Sequence, residues 1–203
     1  TAAEEILKLL SDCGEGTLVI FLLSGGGSAL AERLLVPGTT LEDVQGLHRA
    51  LVTCGAPIDA INAVRKHLSA VKGGRLAAAA PRAMKLTYAV SDVPAGRESA
   101  LASGPTIPDP TTREDALRVL AEYSLREKFP LRIRQWLERN EMAETPKAGD
   151  AAFARSHFHL LLGVDDLFHP AHIAAGASGF VSQCDNSTDD WPVRKAAEYL
   201  LGE

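Results

Sequence analysis

The six residues from Leu18 to Leu23 are all apolar and run directly into Ser24-Gly25-Gly26-Gly27-Ser28. A half-solvated strand alternates apolar and polar side chains, whereas a strand apolar at every position needs cover on both faces. Cover on both faces points to parallel strands joined by crossover helices. The rest of the chain agrees, because short β-rich runs alternate with longer amphipathic ones. The expected class is therefore α/β, a three-layer, mainly parallel, Rossmann-like sheet with flanking helices.

Thr1 to Leu10 reads as a helix. After the Val36-Pro37-Gly38 turn, Thr39 or Thr40 can cap a helix carrying Leu41, Val44, Leu47, Leu51 and Val52, with Glu42 and Asp43 near its positive end. Gly55 ends it, and the next helix begins near Pro57 with an apolar stripe of Ile58, Ile61, Val64, Leu68 and Val71. A second strand, Lys85 to Val90, leads into Ser91-Asp92-Val93-Pro94. A Gly/Pro-rich connection over 95–110 precedes a helix capped by Thr111 or Thr112, and another helix holds Ile133, Trp136 and Leu137. Residues 111–150 thus form a helical excursion from the sheet, and the polar stretch Glu144 to Asp150 is a candidate internal boundary. Beyond it lie an expected strand over 157–162, a short helix over 171–177, a strand over 180–184 and a helix over 193–201. All of 1–203 is read as part of one α/β domain.

Composition narrows the function classes. The 203 residues are 46% hydrophobic and 23% charged, an ordinary globular balance with enough length for a core. A net charge of −5 gives no field that would recruit nucleic acid or an anionic membrane. No apolar run approaches the ~20 residues that cross a bilayer. Cys13, Cys54 and Cys184 show no Cys-x-x-Cys spacing, which fits a reducing cytoplasm. The expectation is a cytoplasmic protein with a small-molecule ligand and neither a nucleic-acid nor a membrane partner. Oligomeric state is left open, a homodimer included.

Three clusters can carry chemistry. The glycines of Ser24-Gly25-Gly26-Gly27-Ser28 let several N–H groups approach an anion, and a following helix would add its positive end. The pattern is neither Walker A nor Gly-x-Gly-x-x-Gly, so it suits phosphate or carboxylate without specifying a nucleotide; a plain turn is the alternative. The second cluster is Asn62, Arg65, Lys66, His67, Ser69, Lys72 and Arg75, whose positive charges are either screened by solvent or gathered by an anion. Gly73-Gly74 is expected to expose backbone donors beside Lys72. His67 reads as a packed residue or as a proton carrier.

The third cluster centres on Asp92, just past a strand end, where open α/β sheets place ligands. It can hold Mg2+ through water, accept a proton from a hydroxyl, or cap a turn. Ser103, Gly104, Thr106 and Asp109 follow in a long connection of the kind that forms site walls. Asp185 to Asp190 offers carboxylates to a cation, or is a solvated turn. His157 and His159 share a strand face and His169 and His172 lie three apart, yet nothing completes a zinc set.

Together these stretches resemble the glycerate kinase family that makes 2-phosphoglycerate, whose members are often labelled hydroxypyruvate reductases. The matching segments are Leu23 to Leu30, Asn62 to Ser69 with Lys72 to Ala77, Ser91 to Pro94, Ala102 to Thr106, Asp109 to Thr112, and Glu144 to Lys147. The resemblance implies transfer of a phosphoryl group from ATP, with Mg2+, to the 2-hydroxyl of D-glycerate. It also implies that Ser24, Gly25, Gly26, Gly27 and Ser28 cradle phosphate. Lys66, Lys72 and Arg65 would balance charge, and Asp92 would orient the hydroxyl or a metal-bound water. Asn62, Ser103 and Thr106 would add binding contacts. Family members place Gly-Asp-Asp after Ser-Asp-Val, where this chain reads Pro94-Ala95-Gly96-Arg97-Glu98. They are also longer, so the resemblance implies a fragment whose activity depends on further regions. An NAD(P)-dependent reductase and a noncatalytic anion-binding module are the alternatives.

Overall fold

The computed structural model describes residues 1–183, 191 and 193–201. Three parallel strands, β1 (Leu18–Ser24), β2 (Met84–Val90) and β3 (Ser156–Leu162), pair in the order β1-β2-β3. Leu18 faces Met84, and Lys85 faces Ser156, with a register shift at Ala89/Val90. Helices flank the sheet, so the α/β expectation and the parallel pairing hold.

Two compact units divide the chain, Thr1–Gly163 and Val164–Glu203. The first holds the sheet together with α1 (Ala2–Ser11), α2 (Leu41–Val52), α3 (Ile58–Leu68), α4 (Arg75–Ala79), α5 (Arg113–Glu122) and α6 (Leu131–Glu138). Its apolar residues form two cores. On the sheet, Val19 and Phe21 pack with Ile6 and Leu10 of α1 and with Leu76, Ala79, Ala80 and Ala83. Away from it, α2, α3, α5 and α6 bury Leu47, Leu51, Val64, Leu68, Leu120, Ile133 and Trp136 among themselves. The helical excursion expected over 111–150 is thus half of a larger helical layer. Thr40 and Thr112, rather than Thr39 and Thr111, are the caps, each in a reciprocal box with Asp43 or Asp115.

Several expectations are corrected. Among the described residues the second face of β1 is uncovered, with Leu18, Ile20 and Leu22 exposed by 50%, 53% and 78%, because α1 and α4 pack on the Val19/Phe21 side. The stretch Glu144 to Asp150 is not a boundary, since Thr145 is buried against Asp109; the division falls after Gly163. In the second unit, α7 (Val164–Ala177) begins seven residues before the expected 171 and carries Pro170 within it, where proline reads from sequence as a breaker. Residues 180–183 form no strand, whereas α8 (Val193–Leu201) matches expectation. The acidic run 185–190 and Cys184 lie outside the described residues.

The histidines expected on one strand face are exposed on β3, where His159 stacks on Tyr88 with centroids 5.4 Å apart. His172 instead shares a 2.7 Å hydrogen bond with Ser182. Among the described residues, no group of three or more His, Cys, Asp or Glu is placed to hold a metal, and no helix is long and apolar enough to cross a membrane.

Candidate functional site

The glycine loop leaves the end of β1 and closes in one 3-10 turn, Gly27–Ala29, rather than opening a long helix. Any dipole contribution is correspondingly small. The N–H groups of Ala29 and Leu30 turn back onto the carbonyls of Gly26 and Gly27. A glycine-rich turn at a strand end can bring successive N–H groups within reach of an oxyanion. Asp92, beyond the neighbouring β2, lies directly against this loop. A Cβ placed on Gly25 would stand 2.1 Å from Asp92 Oδ2, so only glycine lets the carboxylate approach the backbone so closely.

Ser24, Gly27, Ser28 and Lys72 line one cavity of about 210 Å³, closed on another side by Ala102 and Pro105. Asn62 and Lys66 line a different cavity of about 310 Å³ with Asp59, Arg97, Ser99 and Thr111. The expected single cationic face is therefore two. Arg65 and Lys66 are adjacent and project about 100° apart around α3. Lys66 reaches Asp109 at 3.0 Å, whereas Lys72, beyond the helix end, is held by Glu32. Both lysines are buried, at 3% and 1% exposure, so solvent does not screen them as it would on an ordinary helix face. Arg65 contacts Asn62 Oδ1 at 3.5 Å through Nη1 and leaves a buried Nε without a partner.

Asp109 is the hub of the second pair. Besides Lys66 it accepts from the Thr111 N–H at 3.1 Å and from the hydroxyls of Thr111 and Thr145 at 2.9 Å. Burial raises its pKa, but Lys66 and the Thr111 donors outweigh that effect and hold the carboxyl below its ordinary value. Next to it, Glu144 accepts from His67 Nε2, the Arg113 N–H and the Thr145 N–H, each at 2.9 Å. His67 Nδ1 meets the Ala63 carbonyl at 2.8 Å, so the buried ring is clasped between that carbonyl and Glu144. Burial works against the ionised Glu144, yet these donors and Lys147 hold its pKa far below the usual carboxylate range.

Both carboxyls thus titrate below their unfolded values of about 3.9 and 4.3. Their contribution is complete above those values and is lost as pH falls through and below them. Thermal melts should show a Tm level from pH 7 to about 5 and falling steeply below about pH 4. A fall beginning near pH 6.5 would place the acid sensitivity on histidine instead.

The expected free donors at Gly73-Gly74 are not free. Ala102, Ser103 and Gly104 take three successive left-handed conformations, at φ 49°, 62° and 59°. This strained turn aims its carbonyls at the start of α4: Gly73 N–H donates to Ser103 at 3.0 Å, Gly74 to Gly104 at 2.7 Å and Leu76 to Pro105 at 3.0 Å. Ser103 is accordingly buried structure beside the loop, while Thr106 is buried with an unpartnered hydroxyl. Glu32 has no signal in the sequence. Asp109 and Glu144 stand inside the matching segments, and the need of the buried Lys66 and His67 for polar partners could have marked them.

A family model described as a domain of unknown function, DUF4147, matches residues 1–138. The chain belongs to the DUF4147 family. Among its relatives, the D-glycerate 2-kinase of Thermotoga maritima is 38% identical over 195 residues, covering 96% of this chain and 44% of that protein. A protein of Agrobacterium vitis named as a hydroxypyruvate reductase is 46% identical over 154 residues, covering 74% of the chain and 33% of that protein. A crystal structure of glycerate kinase from Thermotoga maritima superposes with a TM-score of 0.71 at 39% identity, over 88% of this chain and 41% of that one. These relatives bear out the resemblance to glycerate 2-kinases. The DUF4147 chain described here spans less than half the length of each.

Proposed function

We propose that this chain supplies the phosphate-binding half of an enzyme that transfers a phosphoryl group from ATP to the 2-hydroxyl of D-glycerate, giving 2-phosphoglycerate. The observation that carries the reading is the cavity that Ser24, Gly27 and Ser28 of the glycine loop line together with the buried Lys72. Phosphoryl transfer asks little covalent chemistry of a protein; positioning and charge stabilisation are most of the work. The loop donors and Lys72 would hold phosphoryl oxygens. Asp92 would orient the attacking hydroxyl, and Lys66 and Asn62 would line the neighbouring subsite. Arg65 would add positive charge behind Lys72, and the Thr106 hydroxyl is available to a substrate oxygen.

The donors suit ATP phosphates. Asp92, an exposed carboxylate beside them, suits Mg2+, which takes one or two carboxylates and completes its shell with phosphate and water. When bound, the ion would neutralise charge on the phosphates. A reductase would need a nicotinamide site, and the loop lacks the dinucleotide pattern.

The test is 31P NMR of ATP, Mg2+ and D-glycerate with this chain, and with the chain joined to the flanking regions of its Thermotoga maritima relative. 2-Phosphoglycerate from either protein supports the assignment. No product from either folded protein removes it. Consumption of NADH with hydroxypyruvate would then favour the reductase, and ligand binding without turnover the noncatalytic module.

A further inference from the structure

Lys72 belongs to two environments at once. Its side chain lines the cavity of Ser24, Gly27 and Ser28, yet its ammonium is held by Glu32. The other Glu32 oxygen accepts from Ser69 Oγ at 2.6 Å, and that hydroxyl accepts from the N–H groups of Val71 and Lys72 at 3.1 and 3.2 Å. The carboxylate is therefore tied to the same backbone that carries the lysine. Two further basic side chains stand near it. His48 Nε2 is 3.9 Å from the oxygen that Lys72 uses, and burial, followed by the nearby Arg65, lowers the pKa of His48. Burial likewise lowers the pKa of Arg65 while Glu32 supports its charge, which puts the guanidinium within electrostatic reach of the same carboxylate. One carboxylate thus serves two charged residues, Lys72 and Arg65. The cluster carries a surplus positive charge in a place where Lys72 is almost wholly buried.

We propose that Glu32 is an internal counter-anion, which a phosphoryl or carboxylate oxyanion entering the glycine-loop cavity displaces from Lys72. The proposal rests on the reading of that loop as an oxyanion cradle. While Glu32 holds Lys72, an incoming anion meets a neutralised lysine and has to compete for it. Once Lys72 turns to the anion, Arg65, with its unsatisfied Nε, and Ser69 remain to compensate Glu32. No buried carboxylate is then stranded. Glu32 sets the affinity of the site without touching the ligand, and so acts as a positioning residue.

Glu32→Gln keeps the shape and removes the charge. Lys72 is left buried without its partner, and Tm should fall. An added anion supplies the missing charge, so inorganic phosphate should raise Tm more in the variant than in the native chain, with Kd tightened by about tenfold. D-Glycerate is titrated in parallel, and the ligand with the larger gain tells a phosphoryl from a carboxylate occupant. Combining Glu32→Gln with Lys72→Met should restore stability and abolish the gain. A purely structural role for Glu32 would lower Tm without changing its dependence on either anion.

Should Glu32→Gln not fold, Glu32→Asp withdraws the carboxylate by one methylene and should show a smaller gain of the same sign. The proposal is overturned if the folded variant binds neither anion more tightly than the native chain, or if the gain survives loss of Lys72. Both outcomes are read from binding alone. A protein that makes no 2-phosphoglycerate can still show the Glu32 effect, and an active kinase can lack it.

Discussion

Asp109→Ala is expected to cost about 3–5 kcal/mol of folding stability, measured by urea unfolding, because it strands a buried cation. Against a typical total of about 5–15 kcal/mol, that is enough to bring the chain close to unfolding at ambient temperature. Lys66 is 3% exposed, and its ammonium is paired with Asp109. Removing the carboxylate also takes the acceptor from the hydroxyls of Thr111 and Thr145, the second of which is itself buried. Replacing both charges separates the two contributions. Lys66→Met with Asp109→Asn should recover most of the loss, since the amide oxygen can still accept from the threonines while no ion is left unpaired. A loss below about 1 kcal/mol for Asp109→Ala, the range of exposed pairs, would mean that water reaches the ammonium.

That ion pair also shows where a sequence stops being legible. The glycine loop, the threonine caps of α2 and α5, and the three strands are local patterns, and each stands close to where the spacing puts it. Lys66 and Asp109 are 43 residues apart, and Lys72 and Glu32 are 40 apart, so no window that detects a period can join them. On α3 the departure is larger. Its apolar stripe implies a solvated opposite face, but Asn62, Lys66 and His67 are buried as deeply as Ile61 and Val64. The helix is enclosed between its core contacts on one side and the 109–111 turn with Glu144 and Thr145 on the other. The polar residues 144–150 read as a linker for the same reason: their partners on α3 and at Asp109 are remote in sequence. For β1 the difference runs the other way. Apolar residues at every position demand two covered faces, and the described residues cover one.

Under the proposed phosphoryl transfer, with the chain joined to the flanking regions of its relative, Gly25→Ala is expected to cut the rate of 2-phosphoglycerate formation by about 100-fold while leaving stability nearly unchanged. The added methyl would lie 2.1 Å from Asp92 Oδ2 and 2.6 Å from its Cγ. Asp92 is exposed, so its side chain can swing away at little cost to the fold. Swinging away removes the carboxylate from the place where it would orient the attacking hydroxyl, and misplacement by about 1 Å is sufficient for a loss of this size. Gly26 is the control. It adopts φ +81° with nothing within 4 Å of where a methyl would stand, so Gly26→Ala should cost about 1–2 kcal/mol in backbone strain and leave Asp92 where it is. The two neighbours should therefore separate, one losing rate and the other stability. Adding Gly25→Ala to Asp92→Ala should slow the reaction no further than Asp92→Ala alone, because both act through one carboxylate. Additive losses would show instead that the methyl obstructs the phosphate cradle itself. A native rate in Gly25→Ala would remove Asp92 from the reaction and leave the loop donors and Lys72 to carry it.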